Sequence, residues 1–229
     1  MIALPIFGHC ARLSVTLVAV VALAGCELDL SSGGFGGARE RDAVQLTGAG
    51  LTIAGPIGYC VDRAALDDSA DGAFVLMANC DALHGRRVSR GDDALALLTA
   101  SASAPLSIPT AFDAERLSSF FGSQSGKAAL SRAGSAGTIT LIDTFTDGNV
   151  FFVHARDSAP NPLGALSDEY WRAVMVVSDR LVSLTVTPYA AAPLSSEQVK
   201  RQTAAFAQSV SAANQALPQN IVSENEIGG

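Results

Sequence analysis

The stretch "GTITLIDTFTDGNVFFVHAR" (residues 137–156) decides how this chain folds. Strand-forming residues run up to Asp147-Gly148 and resume directly after it. That dipeptide supplies the positive φ values that a tight type I′ hairpin needs. A second stretch, "EYWRAVMVVSDRLVSLTVTPYA" (169–190), repeats the design and turns at Ser178-Asp179. Asp143, Asp147 and Asn149 could also suggest a calcium loop. The D-x-[DN]-x-[DN]-G pattern is absent, however, and a strand splits those side chains between its faces.

Outward from the hairpins, the other elements follow in order. "LTIAGPIGYCVD" (51–62) reads as a strand, a Gly-Pro-Ile-Gly turn and a second strand through Tyr59 and Val61. "AFVLMANC" (73–80) reads as a strand, and "DALALLTASAS" (93–103) as a buried strand that a helix could contest. "AFDAERLSSFFG" (111–122) predicts a helix capped by Asp113, with Leu117, Phe120 and Phe121 on its apolar face and Gly122 at its end. A short helical piece is expected from Gly126 to Arg132. "SSEQVKRQTAAFAQSVSAANQAL" (195–217) predicts an amphipathic helix capped by Ser195 or Ser196, with Val199, Ala205 or Phe206, and Val210 on the buried side. Pro218 stops it. The expected class is α+β: an antiparallel sheet of about six strands with helices packed on it, including the long C-terminal helix.

The N-terminal residues read differently. A short segment ending at Arg12 precedes an apolar run from Leu13 to Leu23. That run is too short for a membrane span, which needs roughly 20 residues, and suits the core of a signal peptide. It ends in Leu23-Ala24-Gly25-Cys26, which resembles the lipobox of bacterial lipoproteins. The resemblance implies a signal peptide over 1–25, diacylglycerol on the Cys26 thiol, cleavage before it and a lipid anchor in the membrane. Glu27 leaves both inner and outer membrane open. "SSGGFGG" (31–37) lies within a flexible Ser/Gly linker over 26–43. The body is expected over 44–217, with a loose tail over 218–229.

The chain has 229 residues, 48% of them hydrophobic, so one domain can build a real core. It carries 15 Lys+Arg against 22 Asp+Glu, a net charge of −7. Arg12 is the one charged residue before Cys26, so the mature chain has 14 basic against 22 acidic residues and a net charge of −8. An acidic chain gains little from phosphate contacts, and nucleic acid is not an expected partner. Once Cys10 leaves with the signal and Cys26 takes lipid, Cys60 and Cys80 remain, which predicts a structural disulfide.

Catalytic patterns come close and fail at defined residues. "GSQSG" (122–126) has Gln124 where a nucleophile elbow needs serine. "FGSQSGKAA" places Gly122 one position too close to Gly126 for a phosphate loop, and Ala128 replaces the magnesium-binding hydroxyl. His84 and His154 are the histidines of the mature chain, and their spacing builds no zinc site. No metal, cofactor or catalytic set is expected. His154 oriented by Asp157 would be the base of a hydrolase, against the plainer reading of a half-buried sheet histidine. Arg86, Arg87 and Arg90 would suit an anionic group or form a solvated loop. Trp171 and Tyr170 are neighbours on a strand, so one ring would pack in the core and the other could touch a ligand or partner.

The last hundred residues resemble the Mog1/PsbP-type layout. The strand with Tyr170-Trp171, the "LTVTPY" strand and the final helix with Phe206, Ser209-Val210 and Asn214 carry the resemblance, and "LTIAGPIGYCVD" resembles that fold's first hairpin. The whole chain also resembles uncharacterised bacterial lipoproteins. These resemblances imply a non-enzymatic, lipid-anchored protein on the periplasmic face of the cell envelope. Its expected role is to bind an envelope protein or aid assembly. The alternatives are a small-ligand carrier, with an apolar cavity of at least roughly 300 Å³, and a periplasmic hydrolase.

Overall fold

The computed structural model describes residues 42–88, 96–107, 113–161 and 164–215. Two successive long hairpins run from the middle of its main sheet to one edge. Strand β7 (Ile139–Asp147) pairs with β8 (Val150–Asp157), and β9 (Glu169–Val177) with β10 (Arg180–Pro188). Ser178-Asp179 turns the second hairpin as expected, with Ser178 at φ 57°. The first turns one residue later than expected, at Gly148-Asn149. Gly148 takes φ 55° and Asn149 stays negative, the pattern of a type II′ turn rather than type I′.

These strands belong to an antiparallel sheet larger than the expected six. β3 (Tyr59–Val61), β4 (Asp67–Ser69), β5 (Gly72–Asn79) and β6 (Ala96–Ala102) bring it to eight strands. The order is β3-β5-β6-β10-β9-β8-β7, with β4 also on β5. The stretch 93–103 is a strand where it is described, from Ala96.

"LTIAGPIGYCVD" is not a hairpin. β2 (Leu51–Ala54) pairs with β1 (Ala43–Leu46) in a separate two-stranded sheet, while β3 pairs with β5. Gly55 to Gly58 hand the chain from one sheet to the other. A Cβ on Gly55 would run into the Met77 methyl and approach the Tyr59 carbonyl, so a larger residue here would make the buried Met77 side chain shift. Asp42 already belongs to the folded body. It receives the Val61 N–H at 2.9 Å and an Arg63 guanidinium N–H at 3.0 Å. Cys60 and Cys80 form the expected disulfide, joining β3 to the first residue of the short helix α1 (Cys80–Leu83). Closing a loop with a sequence separation of 20 contributes about 3 kcal/mol in the chain-entropy view.

One face of the sheet carries the main core. Val75, Met77, Leu98, Val182, Leu184 and Val186 are fully buried there. The C-terminal helix α4 (Ser196–Asn214) and the β1–β2 sheet cover this face. Ser195 caps α4, and its capping box with Gln198 is complete. Val199, Thr203, Phe206 and Val210 form its buried stripe. At its far end the Asn214 side chain acts as a strand partner for β2. Its Oδ1 accepts the Thr52 N–H at 2.8 Å, and its Nδ2 donates to the Thr52 carbonyl at 2.6 Å.

The opposite face is covered beside β7, β8 and β9 by α2 (Ala114–Gly122) and α3 (Gln124–Leu130). Asp113 caps α2 as expected. Leu117 and Phe121 pack inward, but Phe120 is 43% exposed, correcting its place on the apolar face. One residue turns the helix by about 100°, and α2 buries a stripe too narrow for both phenylalanines. Where β10 begins, the buried Arg180 donates to the carbonyls of Ser103 at 2.7 Å and Ala70 at 3.0 Å. It thereby ties the turn before β5 to the loop after β6.

Replacing Asn214 with alanine leaves both Thr52 backbone groups without that partner. Urea titration should give a stability loss of about 1–3 kcal/mol with the sheet otherwise intact.

Candidate functional site

Alternation along β8 sends Val150, Phe152, His154 and Arg156 to the face that α4 covers. On β9 the same face holds Glu169, Trp171, Ala173 and Met175, with His154 opposite Trp171 and Arg156 opposite Glu169. Cross-strand neighbours lie close enough to interact. The His154 and Trp171 rings stack at 4.5 Å and 11°. Glu169 takes both basic neighbours, with Oε1 at 2.7 Å from His154 Nε2 and Oε2 accepting from Arg156 at 2.8 Å.

The first turn of α4 closes the cluster. Trp171 Nε1–H donates to Ser196 Oγ at 3.0 Å, and that oxygen lies 3.5 Å from His154 Nε2. One turn on, Lys200 Nζ sits 4.2 Å from the Phe145 ring centre and 5.6 Å from that of Trp171. Phe145 stacks on Phe152 at 4.7 Å and meets Trp171 edge-on at 5.7 Å. The result is a layer of aromatic rings with a histidine at one end and an ammonium over its face, a favourable cation–π arrangement.

The proton positions decide what this cluster can do. The hydrogen bond from Arg156, helped by that from His154, holds the Glu169 carboxyl below its ordinary pKa against the opposing effect of burial. A carboxylate oxygen 2.7 Å from an imidazole nitrogen requires a proton between them, so Nε2 carries it. That nitrogen therefore has no lone pair for the Ser196 hydroxyl. A serine hydrolase needs the base and the orienting acid on different ring nitrogens. Here serine and carboxylate share one. The geometry is that of a tie between the sheet and α4, with Ser196 as acceptor.

Asp157 does not orient His154. It faces the other side of β8, fully buried, and accepts the backbone N–H groups of Arg132 at 2.7 Å and Ala159 at 3.0 Å. Burial pushes its pKa up, but these bonds, with Thr138 and the Arg132 charge, outweigh it and leave it lowered.

Tyr170 and Trp171 do take opposite faces. Both are buried, at 4% and 3% exposure. The Tyr170 hydroxyl donates to the Leu130 carbonyl at 2.7 Å, and burial raises its pKa. Arg86 and Arg87 are exposed after α1, with Arg86 held by Asp81 at 2.7 Å. α1 continues β5, which lies beyond β9, β10 and β6 from β8. At about 4.8 Å per strand, these arginines are remote from His154. His84 is exposed in the same segment. Cys26, Leu23–Cys26, Arg90, the 31–37 linker and the 218–229 tail lie outside the described residues. Among the described residues no group of three or more His, Cys, Asp or Glu could hold a metal, and no helix is long and apolar enough to cross a membrane.

Sequence reasoning missed Glu169, Ser196 and Lys200. Glu169 had no local signal. It lies opposite Arg156, but no tight turn joins β8 to β9, so the two hairpin turns do not give that register.

Ser196→Ala should leave the buried indole N–H of Trp171 without an acceptor. The expected loss is about 1–3 kcal/mol, read by urea unfolding. Glu169 and Asp157 both have folded pKa values below their unfolded ones. Their stabilisation is therefore complete above about pH 5 and fades as pH falls through about 4 and below. Thermal unfolding from pH 7 to 2 should show that decline, and Glu169→Gln should flatten part of it.

Comparison with protein-family models finds no match, and comparison with curated proteins finds none. Among solved structures, the chain is similar to cyanobacterial PsbP (CyanoP) from Synechocystis sp. PCC 6803. Identity is 15% and the TM-score 0.41, covering 80% of this chain and 96% of that one. It is also similar to the extracellular domain of PknH from Mycobacterium tuberculosis, at 14% identity and a TM-score of 0.30, covering 62% and 64%. Both likenesses are too slight to carry an argument about function.

Proposed function

We propose that this chain is a lipid-anchored, non-enzymatic protein of the cell envelope that binds an envelope partner or aids assembly. In this reading Cys26 carries the lipid, the residues from 26 up to Asp42 are a tether, and the body works on the periplasmic side. The observation that carries it is the Cys60–Cys80 disulfide. Such bonds form and persist in oxidising compartments outside the cytoplasm. The sequence Leu23-Ala24-Gly25-Cys26, placed directly after an apolar run, supplies the anchor. Two or more acyl chains give stable attachment where one is marginal.

The non-enzymatic part draws support from His154. Its Nε2 proton is committed to Glu169, so the convergence of Ser196, His154 and Glu169 supplies no base for the serine. The same cluster makes structural sense as a fastening for α4.

The test is cross-linking in intact cells with mass spectrometry, comparing wild type with Cys26→Ala, together with labelling by a clickable fatty acid. The wild type should take up label and give a discrete adduct. Cys26→Ala should lose the label and most of the adduct. Equal labelling of the two proteins would sink the anchor, and no adduct from either would sink the binding role.

A further inference from the structure

We infer that the outer edge of β7 is a docking edge, where an extended basic segment of an envelope partner adds to the sheet as a further strand. This deepens the binding role proposed above and rests on it.

β7 ends the strand order, and among the described residues its pairing partner is β8 alone. Asp147 and Val150 close a two-residue turn, so their peptide groups face each other. Alternation then turns the N–H and C=O groups of Thr144 and Thr146 away from β8. Edges are commonly blunted by bulges, by charged side chains and above all by lysine or proline. Ile139–Asp147 contains neither lysine nor proline. It carries a bulge between Leu141 and Asp143, and the extra residue, Ile142, is 44% exposed. An apolar side chain is thus offered at the edge itself.

Charge selects the occupant. Asp143 and Asp147 are both exposed, lie on the same face, and flank Phe145. Neither has an ion-pair partner among the described residues. Lys200 rests on the Phe145 ring, and Arg156 is held by Glu169. A second copy of the chain is disfavoured. Antiparallel pairing about Phe145 would set Asp143 against Asp147 of the other copy twice, and like charges directly opposite destabilise a sheet. A strand with lysine or arginine at positions i and i+4 on one face, and an apolar residue just beyond the one that faces Asp143 to meet Ile142, answers both carboxylates. Main-chain hydrogen bonds to Thr144 and Thr146 would complete the docking, as in other strand-addition complexes.

The test uses the full chain and two short synthetic peptides of alternating threonine and valine. One carries two arginines four positions apart, and the other carries glutamates there. Amide exchange should show Thr144 and Thr146 open in the free protein and protected by the arginine peptide. The arginine peptide should bind at least about tenfold more tightly than the glutamate one. Asp143→Lys with Asp147→Lys should reverse that order. Thr144→Pro, which removes an outward N–H, should abolish protection while unfolding by urea stays cooperative. Equal binding of both peptides, absence of protection, or Thr144 and Thr146 already protected in the free protein overturns the inference. If cross-linking in cells captures a partner whose contacts map away from β7, this edge fails while the binding role stands.

Discussion

The register between β8 and β9 is the constraint on which most of the molecule depends. It sets His154 against Trp171 and Arg156 against Glu169. Side chains alternate with a period of two, so a slip of one residue would carry every one of them to the wrong face. Tyr170 would then meet α4, and Trp171 would meet α3, where no Ser196 waits for its N–H. Both faces of this strand pair are buried, and each is specified by a different polar anchor. The indole is satisfied by α4 and the phenol by the Leu130 carbonyl at the end of α3. The register is thus checked from both sides, at a cost of about 1–3 kcal/mol for each buried polar group left unmatched.

What the sequence made legible was local. The capping box of α4 needs only Ser195 and Gln198, the second hairpin only its turn residues, and the disulfide only a count of cysteines. What it hid was non-local. β2 looked like the partner of β3 because they are adjacent in the chain, yet a four-residue strand before it, Ala43–Leu46, claims it. Nothing in "AVQL" announces a strand. The same limit applied to the cluster around His154. Asp157 was the nearer carboxylate in sequence, but three residues along a strand reverses the face, and Glu169 on the next strand is the one that reaches it. The Trp171–Ser196 bond spans 25 positions and joins a strand to a helix cap, so no spacing rule could have found it.

Buried charge is handled differently at the two ends of the sheet. Asp157 is wrapped by Arg132, which gives its guanidinium to the carbonyls of Asp157 and Ala159 while its backbone N–H bonds the carboxylate. Arg180, at the other end, has carbonyl partners and no carboxylate within ion-pair distance among the described residues. Its Nε makes no hydrogen bond there. The first is a closed network, the second a cation that binds turns together through their peptide dipoles. Both act on loops rather than on the sheet itself, which its apolar face already holds.

The contact between Asn214 and Thr52 spans 162 positions of the chain. Until the last turn of α4 exists, β2 lacks that partner and the main core lies open along the side that α4 covers. Folding dominated by such distant pairings is slow. In the envelope role proposed above, the chain would cross a membrane as an unfolded thread, and delay of this kind would be useful to it. The main core would stay open until α4, which follows every strand of the sheet, has reached β2.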